Sequence, residues 1–174
     1  MYEVVLNEAE QRLVEYIAKK RTAYHQHDES DEKRQVEHWD RTLEENDREG
    51  FGGEVAYCKL VNLYPDLDTN LSTPDYDCIS CNGEKIDVKT TKYRNGRLIV
   101  PVNKVTHPAD RYVLVTGEFP VYYVMGECSA EQLFHEENIR NFGKGPGYTL
   151  EQDELEDVLQ LSLIHISEPT RLGM

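Results

Sequence analysis

The stretch "KIDVKTT", residues 85–91, holds an acid and a base two positions apart. Alternation along an extended segment puts Ile86 and Val88 on one side and Lys85, Asp87 and Lys89 on the other. Two residues of strand rise roughly 6.5–7 Å, so Asp87 and Lys89 stand on one face. A lysine there keeps its charge most easily beside carboxylates, and a carboxylate stays ionised most easily beside a cation or a metal. The pair is half of a site, and "TPDYD" supplies Asp75 and Asp77 just upstream.

Turn geometry decides whether those acids meet. A two-residue turn at Asn82-Gly83 would pair Cys78 with Asp87 and turn Asp77 away. A three-residue loop "CNG", with Gly83 in the left-handed bulge position, pairs Ser80 with Glu84 instead. Counting back, Asp77 then lies opposite Asp87, with Cβ atoms roughly 5 Å apart. Carboxylates that close repel unless a divalent ion sits between them. The expectation is the bulged turn and a magnesium-type site. Asp75 shares the parity of Asp77 and stands in reserve.

The order Pro74-Asp75-Tyr76-Asp77, then Asp87-Val88-Lys89, preceded by Glu54 in "GGEVAYCK", resembles the PD-(D/E)xK nuclease superfamily. The likeness is to its small phage and Holliday-junction-resolvase-like members and covers roughly residues 50–127. It implies a restriction-endonuclease-like fold and metal-dependent hydrolysis of DNA phosphodiester bonds. By position it implies Asp77 and Asp87 as metal ligands, joined by Glu54 and the Val88 carbonyl. It implies Lys89 as the group that orients water or steadies developing charge. Mg2+ is the implied cofactor, with Mn2+ as substitute. The implied partner is DNA, branched and single-stranded forms included, and relatives that cut both strands often pair as homodimers. The pattern's proline-aspartate label favours Asp75, whereas Asp77 is preferred because it begins the apolar strand and meets Asp87 in the bulged register. The rival reading is a catalytically inactive nucleic-acid or protein-binding module on the same fold.

Each residue also has a plainer account. Asp87 and Lys89 suit a solvated strand face. Asp75 and Asp77 suit turn caps, and Glu54 suits a helix's first turn. Thr90, Thr91, Lys92 and Arg94 extend the strand and suit either phosphate contact or an exposed end. His25, His27 and His38 sit on polar segments, and His107 precedes a proline in a loop. "GKGPG" lacks the spacing of a phosphate-binding loop.

The elements that must position these residues follow from periodicity. Residues 2–27 read as a helix, with Val5, Ala9, Leu13, Ile17 and Ala18 three to four apart. A second helix is expected over 35–49, with Val36, Trp39 and Leu43 on one face. "GFGG" at 50–53 is expected to interrupt it, and a third helix to run from Glu54 to Leu63. Strands are expected at 76–80, 85–91, 97–102, 111–117 and 121–127. Ser129 with Gln132 begins a helix to about Phe142, and Thr149 with Gln152 caps a last short one. The expected fold is α/β (α+β), with a central mixed sheet of about five strands flanked by helices. Residues 1–49 form a helical extension packed on a core at 50–160.

The chain has 174 residues, 39% apolar and 30% charged, as a folded domain would. Its net charge of −14 argues against holding nucleic acid by bulk electrostatics, though not against a local cation-assisted phosphate site. The start lacks a basic, apolar leader and no apolar run approaches the ~20 residues of a membrane span, so a cytoplasmic setting is expected. That setting is the host cytoplasm if the gene is phage-borne. Cys78 and Cys81, three apart on a strand, would face opposite ways, and no second pair follows, so reduced thiols are expected rather than zinc. Residues 161–171, "LSLIHISEPTR", resemble a translated sequencing-library adaptor, so 161–174 are set aside as a tail of artificial origin.

Overall fold

In the computed structural model, residues 1–25, 41–69, 76–102, 109–143 and 145–159 are described. The readings placed on Val36, Trp39, His27, His38, Asp75, His107 and 161–174, and on the side chain of His25, lie outside them.

The first residues correct the expected helix. Tyr2–Val5 forms strand β1, with Val4 buried and Val5 exposed. Alternation over four residues rich in β-branched side chains outweighs the longer helical stripe. Helix α1 (Glu8–His25) starts only after Asn7. The Asn7 carboxamide oxygen accepts from the amides of Ala9 and Glu10, while the Glu10 carboxylate accepts from the Asn7 amide. That reciprocal cap fixes the boundary.

Helix α2 runs without a break over Leu43–Val61, capped by the Thr42–Glu45 box and ended by Asn62 in the left-handed conformation (φ 57°). The expected interruption at 50–53 does not occur. Gly52 and Gly53 serve close packing instead. A Cβ on Gly52 would stand 2.1 Å from the Tyr122 hydroxyl, and one on Gly53 would stand 2.0 Å from Thr90 Oγ1. Helix α2 therefore crosses the position proposed for the boundary between extension and core, and β1 belongs to the central sheet.

That sheet has five strands in the order β1-β6-β5-β3-β2, where β2 is Cys78–Ile79, β3 Lys85–Thr91, β5 Arg111–Glu118 and β6 Val121–Ser129. Strands β3 and β5 are parallel and the other pairs antiparallel, so the sheet is mixed. The fifth member is β1, not the expected segment 97–102. Strand β4 (Leu98–Pro101) instead joins a separate antiparallel sheet, β4-β8-β7, with β7 at Ile139–Asn141 and β8 at Pro146–Leu150. Leu98, Val100 and Leu150 bury against Tyr112, Leu114 and Cys128, so this small sheet covers the second face of the large one. Helices α1 and α2 cover the first face, where Val14, Ile17, Phe51 and Val55 meet Ile86, Val88, Val113 and Val124.

The helix expected from Ser129 shortens to α3 (Ala130–Leu133). Ser129 caps it, accepting from the Gln132 amide. The Asn138 carboxamide then donates to the carbonyls of Gln132 and Leu133, which closes the end and frees Ile139–Asn141 to pair with β8. Thr149 lies in β8, and a single 3-10 turn, Gln152–Glu154, is capped by Glu151 rather than Thr149. No helix among the described residues is long and apolar enough to cross a membrane.

Candidate active site

The hairpin takes the bulged register. Cys78 pairs with Ile86 and Ile79 with Lys85, so Ser80 faces Glu84. The Ser80 amide donates to the Glu84 carbonyl (2.9 Å), the Gly83 amide donates to the Ser80 carbonyl (3.0 Å), and Gly83 has φ 86°. The Ser80 hydroxyl accepts from the amides of Asn82 and Glu84, locking the loop. The ladder ends at Cys78, and the Asp77 amide turns to the Ile86 carbonyl, so the expected pairing of Asp77 directly opposite Asp87 is not formed.

The Asp77 side chain does not point to a face. Its amide donates to the Ile86 carbonyl (2.8 Å), and its carboxylate accepts from the Val88 amide (2.6 Å). The carboxylate therefore lies at the open edge of β3, beyond the two-residue β2. Its carbonyl accepts from the Asp66 amide (2.8 Å), which ties in the chain after α2.

Asp87 and Lys89 occupy one face of β3, as alternation requires. In register they sit beside Tyr112 and Leu114, on the side of the small sheet. The Lys89 ammonium contacts the Asp87 carboxylate, and their side chains are 34% and 16% exposed. Glu54 comes from α2, which packs on the opposite face with Ile86, Val88 and Thr90. It is buried, and Arg21 Nη1 lies 3.3–3.4 Å from its carboxylate oxygens. Arg21 also donates to the carbonyls of Asp66 and Asp68 and lies 4.6 Å over the Phe51 ring. The three acids thus approach the β3 edge from different sides rather than sharing one face, near enough to influence one another's charge.

Their charges feel one another. Burial raises the Asp77 carboxyl well above the ordinary carboxylate range, and Glu54 and Asp87 push it further, against the Val88 amide and Lys89. Burial likewise raises Glu54, opposed by Arg21, with Asp87 adding to the rise. Among the described residues, no three Asp, Glu, His or Cys side chains draw close enough to hold a metal ion. The donor types nevertheless suit one. Carboxylates and a strand carbonyl are what a hard dication takes. The N–H and C=O of one strand residue leave the same edge, so the Val88 carbonyl faces the side of Asp77.

Arg21 escaped the sequence reading. It continues the buried α1 stripe of Val14, Ile17 and Ala18 at helical spacing. A cation on such a stripe signals a buried acid opposite. The cysteines take structural places: Cys58 and Cys78 are buried together, Cys128 is buried with its thiol pushed up to about 12 by burial, and Cys81 is exposed in the turn. A groove of about 530 Å³ between α1 and the start of α2 is lined by Arg12, Tyr16, Lys19, Glu45 and Arg48 and includes none of Glu54, Asp77 and Asp87. The chain matches no protein-family model and no curated protein.

Proposed function

We propose that the chain is a metal-dependent nuclease that hydrolyses DNA phosphodiester bonds in the PD-(D/E)xK manner, on a restriction-endonuclease-like core. One observation carries the reading. The Asp77 carboxylate is clasped by the Val88 amide while Asp87 and Lys89 flank that residue. Isolated strand-face charges would not explain a half-buried acid held at the edge with its carboxyl raised.

Asp77, Asp87 and the Val88 carbonyl are the groups that would hold Mg2+ or Mn2+, with Glu54 supporting from α2. A bound dication supplies Lewis acidity toward a phosphate oxygen and lowers the pKa of water. Lys89 is one-third exposed, so its ammonium can turn from Asp87 to meet charge developing on the phosphate. Arg21 holds Glu54 in place and draws the Asp66 segment against it. Purified protein should nick DNA with Mg2+ or Mn2+, fall silent in EDTA, and lose nicking in Asp87→Ala and Lys89→Ala. Nicking that survives both substitutions removes the mechanism.

The second reading, an inactive binding module on the same fold, has its own support. Arg21 and Lys89 already neutralise Glu54 and Asp87. Calorimetry separates the two, because an inactive module shows no carboxylate-dependent uptake of Mg2+ or Mn2+.

A further inference from the structure

We infer that the surface continuing from Lys89 docks single-stranded DNA, with bases stacked on exposed rings between cations. The inference rests on the nuclease reading for the kind of polymer and deepens it to a substrate class. The chain carries a net −14, so a place where cations gather over aromatic rings stands against the general field.

Arg94 lies 4.3 Å over the Tyr123 ring, and Arg97 lies 4.6 Å over the Phe142 ring. Lys92 is 5.5 Å from the ring centre of Tyr93. Tyr93 is 62% exposed and Phe142 50% exposed, which burial in a core does not explain. Arg140 joins them at the edge, reaching Glu151, which also pairs with Arg97. The Gln152 carboxamide donates to the carbonyls of Arg94 and Gly96 (2.9 and 2.7 Å), holding the turn after β3 against the end of β8.

The Arg94–Tyr123 part of this surface shares the face of Asp87 and Lys89. Thr91 pairs with Thr116, and Thr116 pairs with Tyr123, so the Arg94–Tyr123 stack sits in the row of Thr91. Asp87 to Thr91 is four residues of strand, about 13 Å. A few nucleotides span that distance, within the ~4–16 nucleotides that stacking grooves cover. Rings exposed beside cationic side chains suit unstacked bases with their phosphates alongside. A duplex keeps its bases in the stack and offers these rings little.

The test is anisotropy of a fluorescein-labelled oligothymidylate with the full chain in EDTA, against an unlabelled duplex of equal length. The expected result is saturable binding that the duplex competes for weakly. Tyr93→Ala and Phe142→Ala should each weaken binding about 5- to 150-fold, the equivalent of one lost base stack. Tyr93→Phe should bind as the parent does, because the ring remains. Arg94→Gln should lower the slope of log affinity on log salt by about 0.7. Equal affinity for duplex, or alanine variants that bind like the parent, overturns the inference. Metal-dependent cleavage of duplex without oligothymidylate binding overturns it too and leaves the nuclease reading standing. Tight binding without metal-dependent cleavage of any DNA sinks the nuclease reading and leaves the docking surface.

Discussion

The Asp77 carboxylate accepts the Val88 amide at 2.6 Å, so the first acid of the hairpin grips the strand that carries the second. This contact makes Asp77 both a structural clasp and a half-buried charge among charges. The two roles pull stability in opposite directions, and pH separates them.

Asp77 and Glu54 both have carboxyls raised, by burial first and by neighbouring acids after it. A raised acid binds more protons folded than unfolded between its unfolded value, near ~4, and its folded one. The stability these groups contribute is therefore full below the unfolded value and is lost as pH rises through the raised ones. Asp77→Asn keeps an oxygen for the Val88 amide and deletes the charge. In metal-free urea titrations the variant should gain on the parent as pH rises through that window, hold the gain above it and show no advantage below it. An advantage that shrinks as pH rises would contradict the assignment.

The same buried charges should couple folding to a dication. An ion that binds only the folded chain stabilises it by about 2.7 kcal/mol at a hundredfold excess over its dissociation constant. Thermal melts should move up with Mg2+ or Mn2+ above the raised carboxyl range and much less below it. Asp77→Asn and Asp87→Asn should each remove the shift and cut nicking by at least ~10²-fold, the usual cost of losing one transition-state stabilising group. A melt shift that persists in both variants would place the ion elsewhere.

Helix α2 makes a sharper test of packing, because three of its glycines differ only in what surrounds them. Around Gly50 nothing lies within 4 Å of an added Cβ. Gly50→Ala should therefore gain about 0.8–1 kcal/mol of helix propensity. Gly52→Ala must displace the hydroxyl of Tyr122, a fully buried side chain, and should lose about 1–3 kcal/mol in denaturant unfolding. Adding Tyr122→Phe removes the nearest opposing atom but leaves Cζ 2.7 Å from the new Cβ, so it should recover part of that loss, a coupling visible in a double-mutant cycle. Additive losses would mean that the helix, not the ring, gives way.

These glycines also mark where the sequence was hard to read. "GFGG" carries the composition of a break, and only the partner across the core shows it to be a contact surface. The hairpin was legible because turn chemistry is local: the Asn-Gly pair and a strand on either side leave two registers, and parity links each to a prediction about Asp77. Strand β1 was lost because Val5, Ala9 and Leu13 mimic a helical stripe, although Asn7 and Glu10 spell out the cap that ends it. The placement of β4 in a second sheet was not legible at all. Its alternation of buried and exposed residues suits either sheet, and Leu150, its partner, lies fifty residues on. At the site, strand parity gave Asp87 and Lys89 their common face. The edge position of Asp77 and the Arg21–Glu54 pair depend on tertiary packing that no spacing encodes.

Two strands over from Val88, in the same cross-strand row, the sheet holds another buried acid whose partners can be removed one at a time. Glu127 accepts from the Tyr57 hydroxyl (3.2 Å) and from Arg111 Nη2 (3.1 Å), and Arg111 also reaches Glu156 (3.3 Å). Burial raises the Glu127 carboxyl, and Arg111 is the main force holding it down. The backbones of Glu127 and Glu156 bond to each other, so this acid anchors the final described segment to β6. Arg111→Met leaves the carboxylate buried without its cation and should cost about 3–5 kcal/mol. The double variant Arg111→Met with Glu127→Met removes both charges and should regain most of that cost, because desolvating a pair often offsets what the pair contributes. If the single variant unfolds at the parent's urea midpoint, solvent reaches Glu127 and the network is no more than a surface pair.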